Sequence, residues 1–125
     1  MKTTTREPNQ GTRRHKLLPA DVRKALPALY ATDGDGSARA AVKFFSPYSG
    51  LTIFAFEFDG DDTLYTWTTD GRSNDFGPAG EWGYTSFREL AGAAKAFGGC
   101  AVPAIERECY ASADELPTRD ELNDR

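Results

Sequence analysis

The chain has 125 residues and a mass of 13.7 kDa, room for one compact domain that buries ~65% of its unfolded surface without metal or disulfide staples. Its 39% apolar and 27% charged residues exclude fibrous, disordered and membrane-spanning classes. Eight Phe, five Tyr and two Trp stand against one His, which excludes mechanisms that need two imidazoles, a His-rich zinc site among them.

The formal net charge of −4 is unevenly spread. Residues 1–16 carry Lys2, Arg6, Arg13, Arg14 and Lys16 against Glu7, and read as a basic flexible arm. Residues 112–125 carry Asp114, Glu115, Asp120, Glu121 and Asp124 against Arg119 and Arg125. All aromatics fall between Tyr30 and Tyr110, so this stretch reads as an acidic flexible tail, leaving residues 17–111 as a single acidic domain. The basic N-terminus has no apolar run behind it, unlike a secretory signal. No stretch approaches the ~20 apolar residues of a membrane span. Cys100 and Cys109 are then expected to be reduced thiols in the cytoplasm.

The first expected element is a helix over residues 19–26, with Pro19 in the first turn, Leu18, Val22, Ala25 and Leu26 at helical spacing, and Pro27 as a stop. Asp33-Gly34-Asp35-Gly36-Ser37 is a turn. Strands are expected over residues 39–46, 51–58 and 63–69, joined by hairpin-length connections and therefore antiparallel. Period-2 alternation places Phe54, Phe56 and Phe58 on one face. A two-residue turn at Gly60-Asp61 sets Phe56 opposite Tyr65 and Phe54 opposite Trp67. Extending the register puts Phe44 beside Phe56 and Lys43 opposite Glu57.

Residues 70–80 form a polar, Gly-rich loop, followed by a short strand over 81–85. Ser86 and Glu89 have capping-box spacing and open a helix expected to run through Phe97, with Phe87, Leu90, Ala91 and Ala94 on its apolar stripe. A last strand is expected over residues 104–110. Together these give an α+β fold: a single antiparallel sheet of about four to five strands, with two helices packed on its aromatic face.

In this order the motifs resemble a bacterial family, domain of unknown function 2958, over residues 16–110. The resemblance rests on Leu17-Leu18 with Leu26-Pro27-Ala28-Leu29-Tyr30, Val42-Lys43-Phe44-Phe45-Ser46-Pro47, Glu57-Phe58-Asp59, Glu81-Trp82-Gly83-Tyr84-Thr85-Ser86-Phe87-Arg88-Glu89-Leu90 and Ile105-Glu106-Arg107. It implies carriage on bacterial mobile elements and supplies no activity or cofactor. The stretch Asn74-Asp75-Phe76-Gly77, Trp82 and Glu108-Cys109 depart from the family pattern.

Catalytic chemistry finds little support. His15 sits in the basic arm, without the fixed geometry a general base requires. The Asp33 turn imitates the start of a calcium loop, but Phe44 falls where the bidentate Glu belongs. Asp59, Asp61 and Asp62 suit a hairpin turn. Glu57, Glu81, Glu89 and Glu106 are the carboxylates available for acid–base work, and structural roles account for Glu57, Glu89 and Glu106. The expectation is a non-enzymatic protein-binding module without cofactor or metal, in the bacterial cytoplasm. Inhibition of a host defence complex, CRISPR-type or restriction-type, is its expected role. Phe76, Trp82, Asp75, Glu81 and Tyr84 are the candidate partner contacts. Two alternatives stay open: a nucleic-acid-binding accessory protein that uses Arg13, Arg14 and Lys16, and a carboxylate-dependent, metal-assisted hydrolase.

Overall fold

In the computed structural model, residues 17–70, 73–74, 77–78, 80–97, 100–103, 105–107 and 116–123 are described. Their order is α1 (Ala20–Ala25), β1 (Val42–Phe45), β2 (Thr52–Phe58), β3 (Thr63–Thr69), β4 (Ser73–Asn74), β5 (Gly77–Pro78), β6 (Glu81–Ser86), α2 (Phe87–Gly92), β7 (Ala94–Phe97), β8 (Cys100–Pro103), β9 (Glu106–Arg107) and α3 (Arg119–Asn123). A five-stranded antiparallel sheet in the order β6-β3-β2-β1-β9 dominates this α+β fold. β4–β5 and β7–β8 form separate two-stranded ladders. Among the described residues, no helix is long and apolar enough to cross a membrane.

Local chemistry explains most element ends. α1 starts after Pro19 and stops at Leu26, and the Pro27 carbonyl accepts the Phe58 N–H at 2.9 Å. The two-residue turn expected at Gly60-Asp61 is a three-residue one, closed by the Asp59 N–H donating to the Thr63 carbonyl at 3.0 Å. Asp59 Oδ1 accepts from the N–H groups of Asp61, Asp62 and Thr63 at 2.8, 2.9 and 3.0 Å. Gly60, at φ 88°, supplies the left-handed turn residue. Ser86 caps α2 as expected, accepting the Glu89 N–H at 3.2 Å. Asp62 adds a second cap, accepting from the Arg88 N–H at 2.8 Å and from the Ser86 hydroxyl at 2.7 Å.

The helix expected through Phe97 ends at Gly92. Ala93 turns extended, with ψ 135°, and residues 94–97 pair with 100–103 instead. A six-residue helix has little stability of its own, and the Gly weakens it further, so strand pairing decides the rest.

The β2–β3 register sets Phe54 against Trp67, as the pattern predicts, but a bulge lies between Ala55 and Glu57. Glu57 therefore faces Tyr65, where Phe56 was expected. The β1–β2 register also differs: Lys43 pairs with Phe54 and Phe44 with Ile53, so neither the Lys43–Glu57 nor the Phe44–Phe56 pairing forms. The cause is a tighter connection, in which the Ser46 N–H donates to the Leu51 carbonyl at 3.0 Å. That slides the strand by three residues, an odd number, and turns each side chain to the other face. The Lys43 ammonium comes to lie over the Phe54 ring, 6.0 Å from its centroid.

The aromatics consequently divide between two cores. On one face Val42, Phe44, Ile53, Ala55, Phe58 and Leu64 pack with Leu17, Leu18 and Leu26 around α1, with Phe87, Leu90 and Ala91 of α2, and with Ile105. On the other, Phe56 and Trp67 pack with Ala40, Leu116 and Leu122, flanked by Phe54 and Trp82. Residues 116–123 thus correct the expectation of an unanchored acidic tail over 112–125. Leu122 is 2% exposed, Thr118 bridges Arg39, and Ala40 N–H donates to the Pro117 carbonyl at 2.9 Å. Two leucines and backbone pairing provide the anchorage that the absence of aromatics concealed. The expected arm over 1–16 lies outside the described residues, as does Cys109.

Candidate functional site

The bulge in β2 turns Glu57 toward the segment after α1, where it is 97% removed from solvent. A buried carboxylate needs partners for both oxygens. Glu57 Oε1 accepts from the Tyr30 N–H at 2.8 Å, and Oε2 accepts from the Thr32 N–H at 2.8 Å and from the Thr32 hydroxyl. Arg119, the first residue of α3, brings Nη1 to 3.8 Å from Oε2. The same nitrogen donates to the Thr32 carbonyl at 2.7 Å and to Thr32 Oγ1 at 2.9 Å. Burial pushes the Glu57 carboxyl up, but the hydrogen bonds from Thr32 and Tyr30 and the Arg119 charge outweigh it, so the net displacement is below the usual 4.5. Glu57 is therefore an ionised structural anchor.

Around this anchor stands an aromatic group. The Arg119 guanidinium lies over the rings of Tyr65 and Trp82, 5.3 and 5.0 Å from their centroids. Those two rings are stacked at 5.4 Å and 13°, and the Trp82 indole N–H donates to Asn123 Oδ1 at 2.8 Å. Tyr84 leans on Tyr65 at 5.3 Å and meets Tyr30 edge-on at 6.4 Å. Tyr30 and Tyr84 remain 66% and 57% exposed. Hydrogen bonding to Tyr30 pushes the Tyr84 phenol up to about 12, so it stays a neutral hydroxyl at physiological pH. Tyr30 holds a left-handed φ of 71°, uncommon for a non-glycine residue, and its N–H bond to Glu57 helps to retain it there. Tyr30, Asp33, Glu57, Tyr65, Tyr84 and Arg119 line an open cavity of about 200 Å³.

Of the expected partner contacts, Tyr84 stands at this cavity. Glu81 is exposed at the start of β6, which pairs with β3 at one edge of the sheet. Trp82 is half-buried, its ring 5.0 Å from Phe56, so it serves the packing beneath the cavity more than the surface. Phe76 and Asp75 lie outside the described residues, as do Arg13, Arg14, Lys16 and His15.

Sequence reading did not assign Tyr30, Asp33, Tyr65 or Arg119 to a site, and it gave Glu57 a different partner. No local signal links them: residues 30, 33, 57, 65, 84 and 119 lie in separate segments that meet only in the fold.

The acidic turns serve the backbone. Asp35 Oδ1 accepts from the Ser37 hydroxyl at 2.6 Å and the Ser37 N–H at 3.0 Å, which holds its carboxyl below the usual range. Among the described residues, no three His, Cys, Asp or Glu side chains gather as a metal-holding group. No family model, curated protein or solved structure matches this chain.

Proposed function

We propose that this chain is a non-enzymatic protein-binding module whose contact surface is centred on Tyr30 and Tyr84. The carrying observation is that these two large side chains stand exposed and ring to ring over a buried charged network. Tyrosine is a frequent interface anchor because its broad ring loses little rotamer entropy on burial, and its hydroxyl tolerates a wet rim. The backbone of Tyr30 is held by Glu57, and Tyr84 sits on a strand, so the pair is preorganised for contact. Exposed Asp33 on the cavity rim adds a carboxylate suited to a basic partner. The commitment of Glu57 to backbone N–H groups and Arg119 favours binding over carboxylate acid–base chemistry.

The resemblance to domain of unknown function 2958 adds the biological setting: a bacterial cytoplasmic protein carried on mobile elements, acting as an inhibitor of a host defence complex. A basic nucleic-acid channel in such a complex is the kind of partner an acidic surface would occupy. Affinity capture from the host tests this reading with wild type beside a Tyr30→Ala/Tyr84→Ala variant of matched circular dichroism. Partner recovery is expected to fall by at least about tenfold in the variant, the loss of one interface anchor or more. Equal recovery would remove this surface from consideration.

A further inference from the structure

We infer that the cavity beside Tyr30 and Tyr84 is a receptor for a compact alkylammonium group, such as a lysine side chain presented by the partner. The inference rests on the proposed binding surface and specifies the chemistry at its centre.

Two observations select a cation. Three phenol rings, those of Tyr30, Tyr65 and Tyr84, line one space of about 200 Å³, and the negative faces of aromatic rings attract positive charge. The charged groups on the lining are two carboxylates, Asp33 and Glu57, against one guanidinium, Arg119. Arg119 is offset by Glu57, its Nη1 standing 3.8 Å from the carboxylate and bonded to Thr32 as well. Asp33, exposed on the rim, supplies the further negative charge. The neutral state of Tyr84 keeps the wall itself a π surface.

Ring geometry then selects the shape of the cation. A flat guanidinium suits a stacked face, and the Tyr65–Trp82 pair, at 13°, already carries one in Arg119. The Tyr30–Tyr84 pair, which carries no guanidinium, is inclined instead, by 64°. Inclined walls form a corner, which a rounded ammonium or methylated ammonium touches on several sides at once.

The probe is choline, compared with its neutral carbon isostere 3,3-dimethyl-1-butanol, in ¹H–¹⁵N NMR titrations of the full chain at constant ionic strength. Choline is expected to shift the Tyr30, Thr32 and Tyr84 amides saturably and to bind at least about tenfold more tightly than the isostere. Tyr84→Ala should abolish these shifts. Asp33→Asn, on the exposed rim, should weaken choline while leaving the isostere unchanged. Nα-acetyl-lysine amide, run in parallel, is expected to shift the same amides saturably; its failure to do so while choline binds would overturn the lysine occupant and leave a free choline-like molecule. Equal binding of choline and isostere, or shifts that never saturate at these amides, would overturn the inference. Should that happen while partner capture still depends on Tyr30 and Tyr84, the binding surface stands and its cation specificity falls.

Discussion

The two faces of the sheet are closed in different ways. One is covered by segments near it in the chain: Leu17, Leu18 and Leu26 around α1, then Phe87, Leu90 and Ala91 of α2, with hydrocarbon meeting hydrocarbon. The other is covered by residues 116–123, distant in sequence, which bring Leu116, Leu122 and Arg119 onto the sheet face. The first face is a hydrophobic core and little else. The second mixes indole, phenol, guanidinium and carboxylate, and the candidate site lies at its margin. Burial on the first needs only apolar area, whereas burial on the second requires each charge to find partners. A face with that requirement is held together by specific geometry.

Truncations on each face test the contrast most strongly. Phe44→Ala, at a fully buried position on the hydrocarbon face, should cost about 3–5 kcal/mol in urea denaturation. Leu122→Ala should cost about 2–4 kcal/mol if residues 116–123 are a true core element. A cost below about 0.5 kcal/mol, the level of an ordinary surface substitution, would return that segment to the status of a tail.

Glu57→Gln probes the polar network of the second face. It removes a charge-assisted set of hydrogen bonds and leaves Arg119 half-matched, so a loss of about 1.5–3 kcal/mol is expected. In a double-mutant cycle with Arg119→Met, the two losses should be less than additive. Strict additivity would show that the two residues act independently.

Acid titration reads the same network. The Glu57 carboxyl lies below 4.5 in the folded protein, so the unfolded chain binds more protons in the window beneath that value. Its contribution to stability is present above pH 4.5 and is lost as pH falls through the folded value. Thermal melts from pH 6 downward should show a shallower decline for Glu57→Gln than for wild type. The decline should not vanish, because the carboxyls of Asp35 and Asp59 also lie below their usual values. An unchanged slope would place the acid sensitivity elsewhere.

The smallest effect separates stability from binding. Tyr30 sits at φ 71°, a region glycine enters freely, and its side chain is largely exposed. Tyr30→Gly should relieve backbone strain, offset by greater freedom in the unfolded chain, for a net stability change within about 1 kcal/mol. It should nonetheless weaken partner capture as strongly as Tyr30→Ala. If stability and capture fell together, Tyr30 would be a structural residue rather than a contact.

How far the sequence reached varied with the distance over which each feature is decided. The antiparallel pairing of β2 with β3 and the Ser86 cap were legible because a few adjacent residues determine them, a short Asp/Gly connection for the one and a hydroxyl three residues before an N–H for the other. Phe54, by contrast, meets Trp67 because the bulge offsets an extra turn residue. Phe56 and Glu57 mark where that reading stops. Alternation contains no sign of an extra residue, so the bulge, and with it the face on which Glu57 lies, escaped a strict period of two. The Lys43–Glu57 pairing failed because opposite charges at a matching offset are weak against the register imposed by the Ser46–Leu51 turn.

By itself, the sequence determined the antiparallel sheet that holds β1, β2, β3 and β6, the Ser86 cap, and the acidic, aromatic-rich character of the chain. Those are properties of neighbouring residues and of composition. The tertiary structure alone decided that Arg119, 87 residues from Thr32, would meet it and Glu57 beneath Tyr65 and Trp82. No local propensity encodes that meeting. A buried carboxylate must find cationic and N–H partners wherever the folded chain supplies them, and here the supply comes from opposite ends of the described chain.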